Sequence, residues 1–81
     1  MAERMLDTTG LSCPLPILKA RRTLREMAPG QTLEVLASDP GAVEDFPDFC
    51  RASGHELLES TTAPGNVYRF VIRNGGRPAQ E

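Results

Sequence analysis

The chain of 81 residues has no tryptophan, one tyrosine, three phenylalanines, one histidine and two cysteines. Two cysteines and one histidine exclude most metal sites, because a structural zinc needs four ligands. One disulfide is conceivable, but 36 residues lie between Cys13 and Cys50 and a reducing compartment disfavours it. The scarcity of aromatics leaves little on which bases could stack. A formal net charge of −2 gives no general drive toward nucleic acid or an anionic membrane. No apolar run approaches the length of a membrane span, and Met1-Ala2-Glu3-Arg4-Met5 lacks the apolar run of a signal peptide. The expected compartment is the cytoplasm. Repeats, glycine-rich phosphate loops and low-complexity segments are also missing. A chain this short makes one domain, burying a bit over roughly 60% of its unfolded surface, and is too small to hold a substrate cavity.

What the chain does have is Leu11-Ser12-Cys13-Pro14-Leu15-Pro16, a cysteine and two alternating prolines leading into a run of helical period. Proline inside a helix removes a backbone bond and clashes with the preceding turn, at roughly 3 kcal/mol. The N–H groups of the first turn have no intrahelical partner, so that cost disappears there. The pattern therefore predicts Cys13 at the N-cap, Pro14 at the first helical position and Pro16 at the third. The Leu15 amide is then the free donor placed to meet the Cys13 side chain, and Leu11 is the inward residue. Helix N-termini lower thiol pKa values from about 8.5 into roughly 3.5–7.5, so a partly exposed thiolate is expected at Cys13.

Met5-Leu6-Asp7 reads as a short first strand and Thr8-Thr9-Gly10 as the turn into the motif. From Leu15 to Ala28 the period is helical, with Ile17, Ala20, Leu24, Met27 and Ala28 on an inward stripe. Lys19, Arg22 and Glu26 point away, Arg21 and Arg25 lie on the flank, and Pro29-Gly30 ends the helix. Thr32 to Ser38 alternates as a half-buried strand with Leu33, Val35 and Ala37 on one face, and Asp39-Pro40-Gly41 turns away from it. A second helix is expected from about Phe46 to Ser53, with Asp45 as N-cap, Pro47 in the first turn, and Phe46, Phe49 and Cys50 inward. Gly54 closes it. His55 to Thr62 and Val67 to Arg73 form a hairpin across Ala63-Pro64-Gly65-Asn66, with Tyr68, Phe70 and Ile72 inward.

The sum is an α/β two-layer sandwich, β-α-β-α-β-β, with two helices on one face of a four-stranded mixed sheet. Its first crossover is expected to be right-handed. Asn74-Gly75-Gly76-Arg77-Pro78-Ala79-Gln80-Glu81 reads as a loose ending, giving a domain over 1–76 and a flexible tail over 77–81. Strands one and two run parallel, and ligands bind at the carboxyl edge of such strands. That edge brings Asp39 into the neighbourhood of Cys13.

Leu11-Ser12-Cys13-Pro14-Leu15-Pro16 resembles the Cys-Pro-x-Pro signature of the TusA/SirA-like sulfur carrier proteins. Pro29-Gly30, Ser38-Asp39-Pro40, Asp45-Phe46-Pro47-Asp48-Phe49-Cys50, Gly54-His55-Glu56-Leu57 and Tyr68-Arg69-Phe70-Val71-Ile72-Arg73 follow in the order of the TusA branch. The resemblance spans about Leu6 to Gly76. It implies a mixed sheet with the last strand between the second and third. It also implies sulfur transfer through a Cys13 persulfide, with a cysteine desulfurase or a rhodanese as donor. Acceptors would belong to tRNA 2-thiouridine synthesis, molybdenum cofactor supply or cytoplasmic sulfur oxidation. Leu15 stands where the enterobacterial tRNA-thiolation type carries an acidic residue, which leaves the pathway open. Such chemistry needs a thiolate with space beyond the sulfur and no cofactor or metal. A monomer when free is expected, with neither nucleic acid nor membrane as a direct partner.

Cys50 could resolve a Cys13 disulfide, but its stripe with Phe46 and Phe49 favours a core role. His55, after a helix-ending glycine, reads as structural or capping rather than as a general base. Asp39 reads as a turn former that also docks a partner, although its charge would oppose a thiolate. Lys19, Arg21, Arg22 and Arg25 are either a solvated helix face or a guide for an acidic partner. Two rivals to a carrier remain: a dithiol redox protein using Cys13 and Cys50, and a non-catalytic RNA- or protein-binding module. Glu34 on the open sheet face argues against RNA.

Overall fold

Leu33, Val35 and Ala37 alternate along β2 (Thr32–Ala37), and all three are fully buried. In the computed structural model, which describes residues 3–75, this strand lies inside a four-stranded sheet. β1 (Arg4–Thr8) pairs parallel to β2, longer by a residue at each end than the Met5–Asp7 expectation. After α1 (Leu15–Arg25), β2 and α2 (Ala42–Ser53), the chain forms the hairpin of β3 (Glu56–Ala63) and β4 (Val67–Arg73). β4 is antiparallel to both β2 and β3, so the order is β1-β2-β4-β3 and the last strand lies between the second and third. The expected fold class, a two-layer α/β sandwich, is the one observed.

Register explains why both helices share one face. Leu33 lies opposite Ile72 and Val35 opposite Phe70, so these four side chains leave the sheet on the same side. Ala20 and Leu24 of α1 and Phe46 and Cys50 of α2 complete one buried cluster with them. At its centre the Phe46 ring stacks on Phe70, with centroids 4.5 Å apart. The other sheet face carries paired charges beside apolar Met5 and Val71. Arg69 Nε donates to Glu34 Oε2 at 2.5 Å and its Nη1 to Glu59 Oε1 at 2.6 Å, while Arg73 pairs with Glu56.

Both helix boundaries differ from expectation. α1 stops at Arg25 rather than Ala28: the Glu26 and Met27 amides turn back to the Thr23 and Leu24 carbonyls, three residues away. Met27 is still buried, while Ala28 is exposed. Asn74 closes this end. Its Nδ2 donates to the Leu24, Met27 and Ala28 carbonyls at 3.0, 2.8 and 3.2 Å, and its backbone pairs with Gly30 and Gln31. Asn74 is thus part of the core, not the start of a loose ending; the proposed tail at 77–81 lies outside the described residues.

α2 begins four residues before Phe46. Gly41 is its N-cap, Ala42 is fully buried at the first position, and Pro47 is interior. Asp45 is therefore not the cap but sits one turn into the helix, with Glu44 beside it. Gly54 ends α2 at φ 79°, a conformation that favours glycine. The hairpin loop is Pro64-Gly65-Asn66, closed by Ala63 opposite Val67, and both Gly65 and Asn66 have positive φ.

Candidate functional site

Thr8 and Ala37 end β1 and β2 side by side, so the loops leaving both strands share one edge, and each loop leads into a helix. Side chains tie the two together. Thr8 Oγ1 donates to the Leu36 carbonyl at 2.6 Å, and Gly10 N–H donates to Ser38 Oγ at 2.8 Å. Cys13 N–H donates to Asp39 Oδ2 at 2.6 Å, and Asp39 Oδ1 accepts Gly41 N–H at 3.0 Å. Asp39 is both the turn former and the group that anchors the motif backbone, beside Cys13 as the topology required. These two amides hold its carboxyl below the usual carboxylate range.

The thiol itself is not prepared in the expected way. Pro14, not Cys13, is the N-cap of α1, across a cis Cys13–Pro14 peptide bond. Leu15 is then the first helical residue and Pro16 the second, one position earlier than read. The Leu15 amide donates to the Ser12 carbonyl at 2.9 Å instead of meeting the sulfur. Cys13 Sγ, half-buried, donates to Asp45 Oδ2 at 2.7 Å. That bond, burial, and the Asp45 and Asp39 charges push the Cys13 thiol up to about 12. A helix N-terminus supplies roughly 0.3–1 kcal/mol for an anion, and a carboxylate bonded directly to the sulfur outweighs it. The resting group is a thiol holding its proton against Asp45, which corrects the expected thiolate.

Asp45 is the residue that sequence reasoning missed. The available signal was the interval from Asp39 to Asp45: a helix starting directly after Pro40-Gly41 carries Asp45 on its first full turn, above the same edge. Gly41 matters for a steric reason, since a Cβ there would lie 3.3 Å from Cys13 Sγ. Its φ of −61° suits any residue.

The remaining candidates fall elsewhere. Cys50 is 2% exposed within the core cluster, and burial pushes its thiol up to about 11; both cysteines are free. His55 Nδ1 accepts Gly75 N–H at 3.0 Å, its ring lies 5.5 Å from Phe49, and burial lowers its pKa. It is structural. Lys19, Arg21, Arg22 and Arg25 are exposed on α1, and Leu15, Leu18 and Val43 are large apolar side chains 42–47% exposed on the first turns of the two helices. A shallow groove of about 240 Å³ is lined by Leu6, Lys19, Arg22, Thr23 and Glu26, with no motif residue among them. Among the described residues, no three His, Cys, Asp or Glu side chains are grouped to hold a metal, and no helix is long and apolar enough to cross a membrane.

Fold and edge together define a small two-layer α/β domain built around a half-buried thiol at the carboxyl ends of two parallel strands. Residues 4–74 match the family described as Sulfurtransferase TusA. The chain is 48% identical over 71 residues to the sulfur carrier protein TusA of Allochromatium vinosum, covering 88% of this chain and 92% of that one. Its fold is similar to the crystal structure of a SirA-like protein from Desulfitobacterium hafniense, with a TM-score of 0.80 at 22% identity, covering 89% of this chain and 97% of the other. The chain belongs to the TusA family, and its general role is that of a sulfur carrier in sulfur transfer.

Proposed function

We propose that Cys13 carries the sulfur. It attacks the outer sulfur of a donor's persulfide, becomes a persulfide itself, and passes that sulfur to an acceptor cysteine. The observation that supports this most is the setting of Cys13: its amide is anchored by Asp39 and its sulfur is half-buried at the shared strand edge rather than enclosed in the core like Cys50. The donor is a cysteine desulfurase or a rhodanese. The acceptor is a relay protein with a reactive cysteine, serving tRNA 2-thiouridine synthesis, molybdenum cofactor supply or sulfur oxidation in the cytoplasm. Partners approach over Leu15, Leu18 and Val43, with Arg21, Arg25 and Asp39 at the rim. Pro14 and Pro16 fix the backbone on which the sulfur is mounted.

Mass spectrometry after incubation with a desulfurase and cysteine tests the reading. The wild-type chain and Cys50→Ser gain one sulfur, and Cys13→Ser gains none. Loss of two hydrogens instead would identify a dithiol redox protein, and an unchanged mass a binding module.

A further inference from the structure

Cys13 Sγ and Asp45 Oδ2, 2.7 Å apart, are closer than two anions sit, so the pair holds one proton between them. Asp39 is the other acid facing the sulfur. Its two oxygens accept the Cys13 and Gly41 amides, which fix it in place, and its interaction with the thiol is weaker than that of Asp45. Gly41 adds no side chain between sulfur and acid: a Cβ there would stand 3.3 Å from Sγ and 3.9 Å from Asp45 Oδ2. The terminal sulfur of an alkyl persulfide is more acidic than a thiol and arrives ionised near neutral pH. A thiolate attacking it meets a like charge, and what the reaction lacks is a proton on the incoming sulfur.

Resting on the reading that Cys13 carries sulfur, we propose that Asp45 is the catalytic proton relay of that transfer, taking the Cys13 proton as Sγ attacks and delivering it to the incoming outer sulfur. Cys13–SH and R–S–S⁻ give Cys13–S–SH and R–S⁻. The bond from Sγ to the outer sulfur forms while the donor's S–S bond breaks. Its electron pair leaves on the donor thiolate, and the single proton moves from Sγ through the Asp45 carboxylate to the transferred sulfur. Charge is −1 on both sides and no outside oxidant or reductant is required. The Asp45 hydrogen bond, burial and the carboxylate charges raise the Cys13 titration, and the charge repulsion among them opposes losing the pair's proton to solvent, which would leave two anions side by side. Moving that proton within the pair leaves its total charge unchanged, so the same repulsion does not oppose the relay.

Asp45→Asn keeps the size of the side chain and removes the carboxylate that takes up a proton. Two rates are read by mass spectrometry on the full chain at neutral pH: site-resolved labelling of Cys13 by iodoacetamide, and sulfur uptake from glutathione persulfide. Labelling rises about tenfold or more, because the thiol no longer faces a bonded carboxylate. Uptake falls by about a hundredfold, the usual scale of a lost general acid–base group. Asp45→Glu, which returns a carboxylate on a longer arm, recovers part of the uptake. Uptake that rises in step with labelling, or two rates that both stay at the wild-type value, overturns the relay alone. A wild-type chain that gains no sulfur from the persulfide overturns the carrier reading, and the relay with it.

Discussion

At the scale of single residues, Cys13 lies between opposing influences. The start of α1 favours an anion there, while Asp45 and Asp39 oppose one. The carboxylates prevail, and a pH dependence follows. Iodoacetamide labelling of Cys13 is slow at neutral pH and keeps climbing through the alkaline range toward about 12. A plateau near neutrality would show that the Asp45 bond does not form in solution. Asp39→Asn deletes a charge and keeps an oxygen for one of the two amides, and it lowers the Cys13 titration by less than Asp45→Asn, whose bond to the sulfur is the largest influence. Cys13 was legible in the sequence from the two alternating prolines that follow it at a helix start, and Asp39 because the parallel pairing of the first two strands brings it to the same edge. Asp45 was not. Proline is expected in a first turn, and reading Pro47 that way moved the start of α2 past Gly41 and made Asp45 a cap. The state of the thiol went with it, since what sets that state is a contact across 32 residues.

At the scale of elements, the fold depends on how helices begin and end. Pro16 is a fully buried side chain in the first turn of α1, so its ring is packing material as well as a stiffener. Pro16→Ala loses roughly two buried methylenes and is expected to cost about 1–2 kcal/mol in urea unfolding, with the same far-UV spectrum. An unchanged midpoint would mean that the ring contributes only stiffness. The other end of α1 is held from the far terminus, by Asn74. Asn74→Ala leaves buried carbonyls without their donor, and the expected loss is about 1–3 kcal/mol by the same measurement. Asn74→Asp does worse, because it turns an acceptor toward three acceptors. Periodicity revealed α1, β2 and β4, whose apolar residues recur on one face, while β3, exposed along most of its length, was legible from the turn that follows it. Periodicity could not reveal Asn74, because a polar residue before two glycines reads as a chain end unless its partners, 46–50 residues away, are known.

At the scale of the whole molecule, charge is arranged differently on the two sides. On the open sheet face Arg69 and Arg73 are matched to Glu34, Glu59 and Glu56. On α1, Lys19, Arg21, Arg22 and Arg25 are exposed, and Arg21 and Arg25 stand one turn apart on the helix that starts beside Cys13. A carrier meets a donor and an acceptor through the same sulfur, so its docking surface must surround that sulfur and be shared. Charged rims govern mainly the rate of encounter, whereas the buried centre of a contact, for which the exposed Leu15, Leu18 and Val43 are the proposed residues, governs dissociation. Reversing both arginines, Arg21→Glu with Arg25→Glu, is therefore expected to slow sulfur loading from an acidic-faced donor, and to slow it more at low salt than at high salt. Labelling of Cys13 by a neutral small reagent should stay close to wild type, because Asp45 and Asp39, not the arginines, dominate the thiol. Labelling that falls in step with loading would place the arginines in the electrostatics of the sulfur instead. Loading that keeps its wild-type rate and salt dependence would leave them as a solvated face of α1.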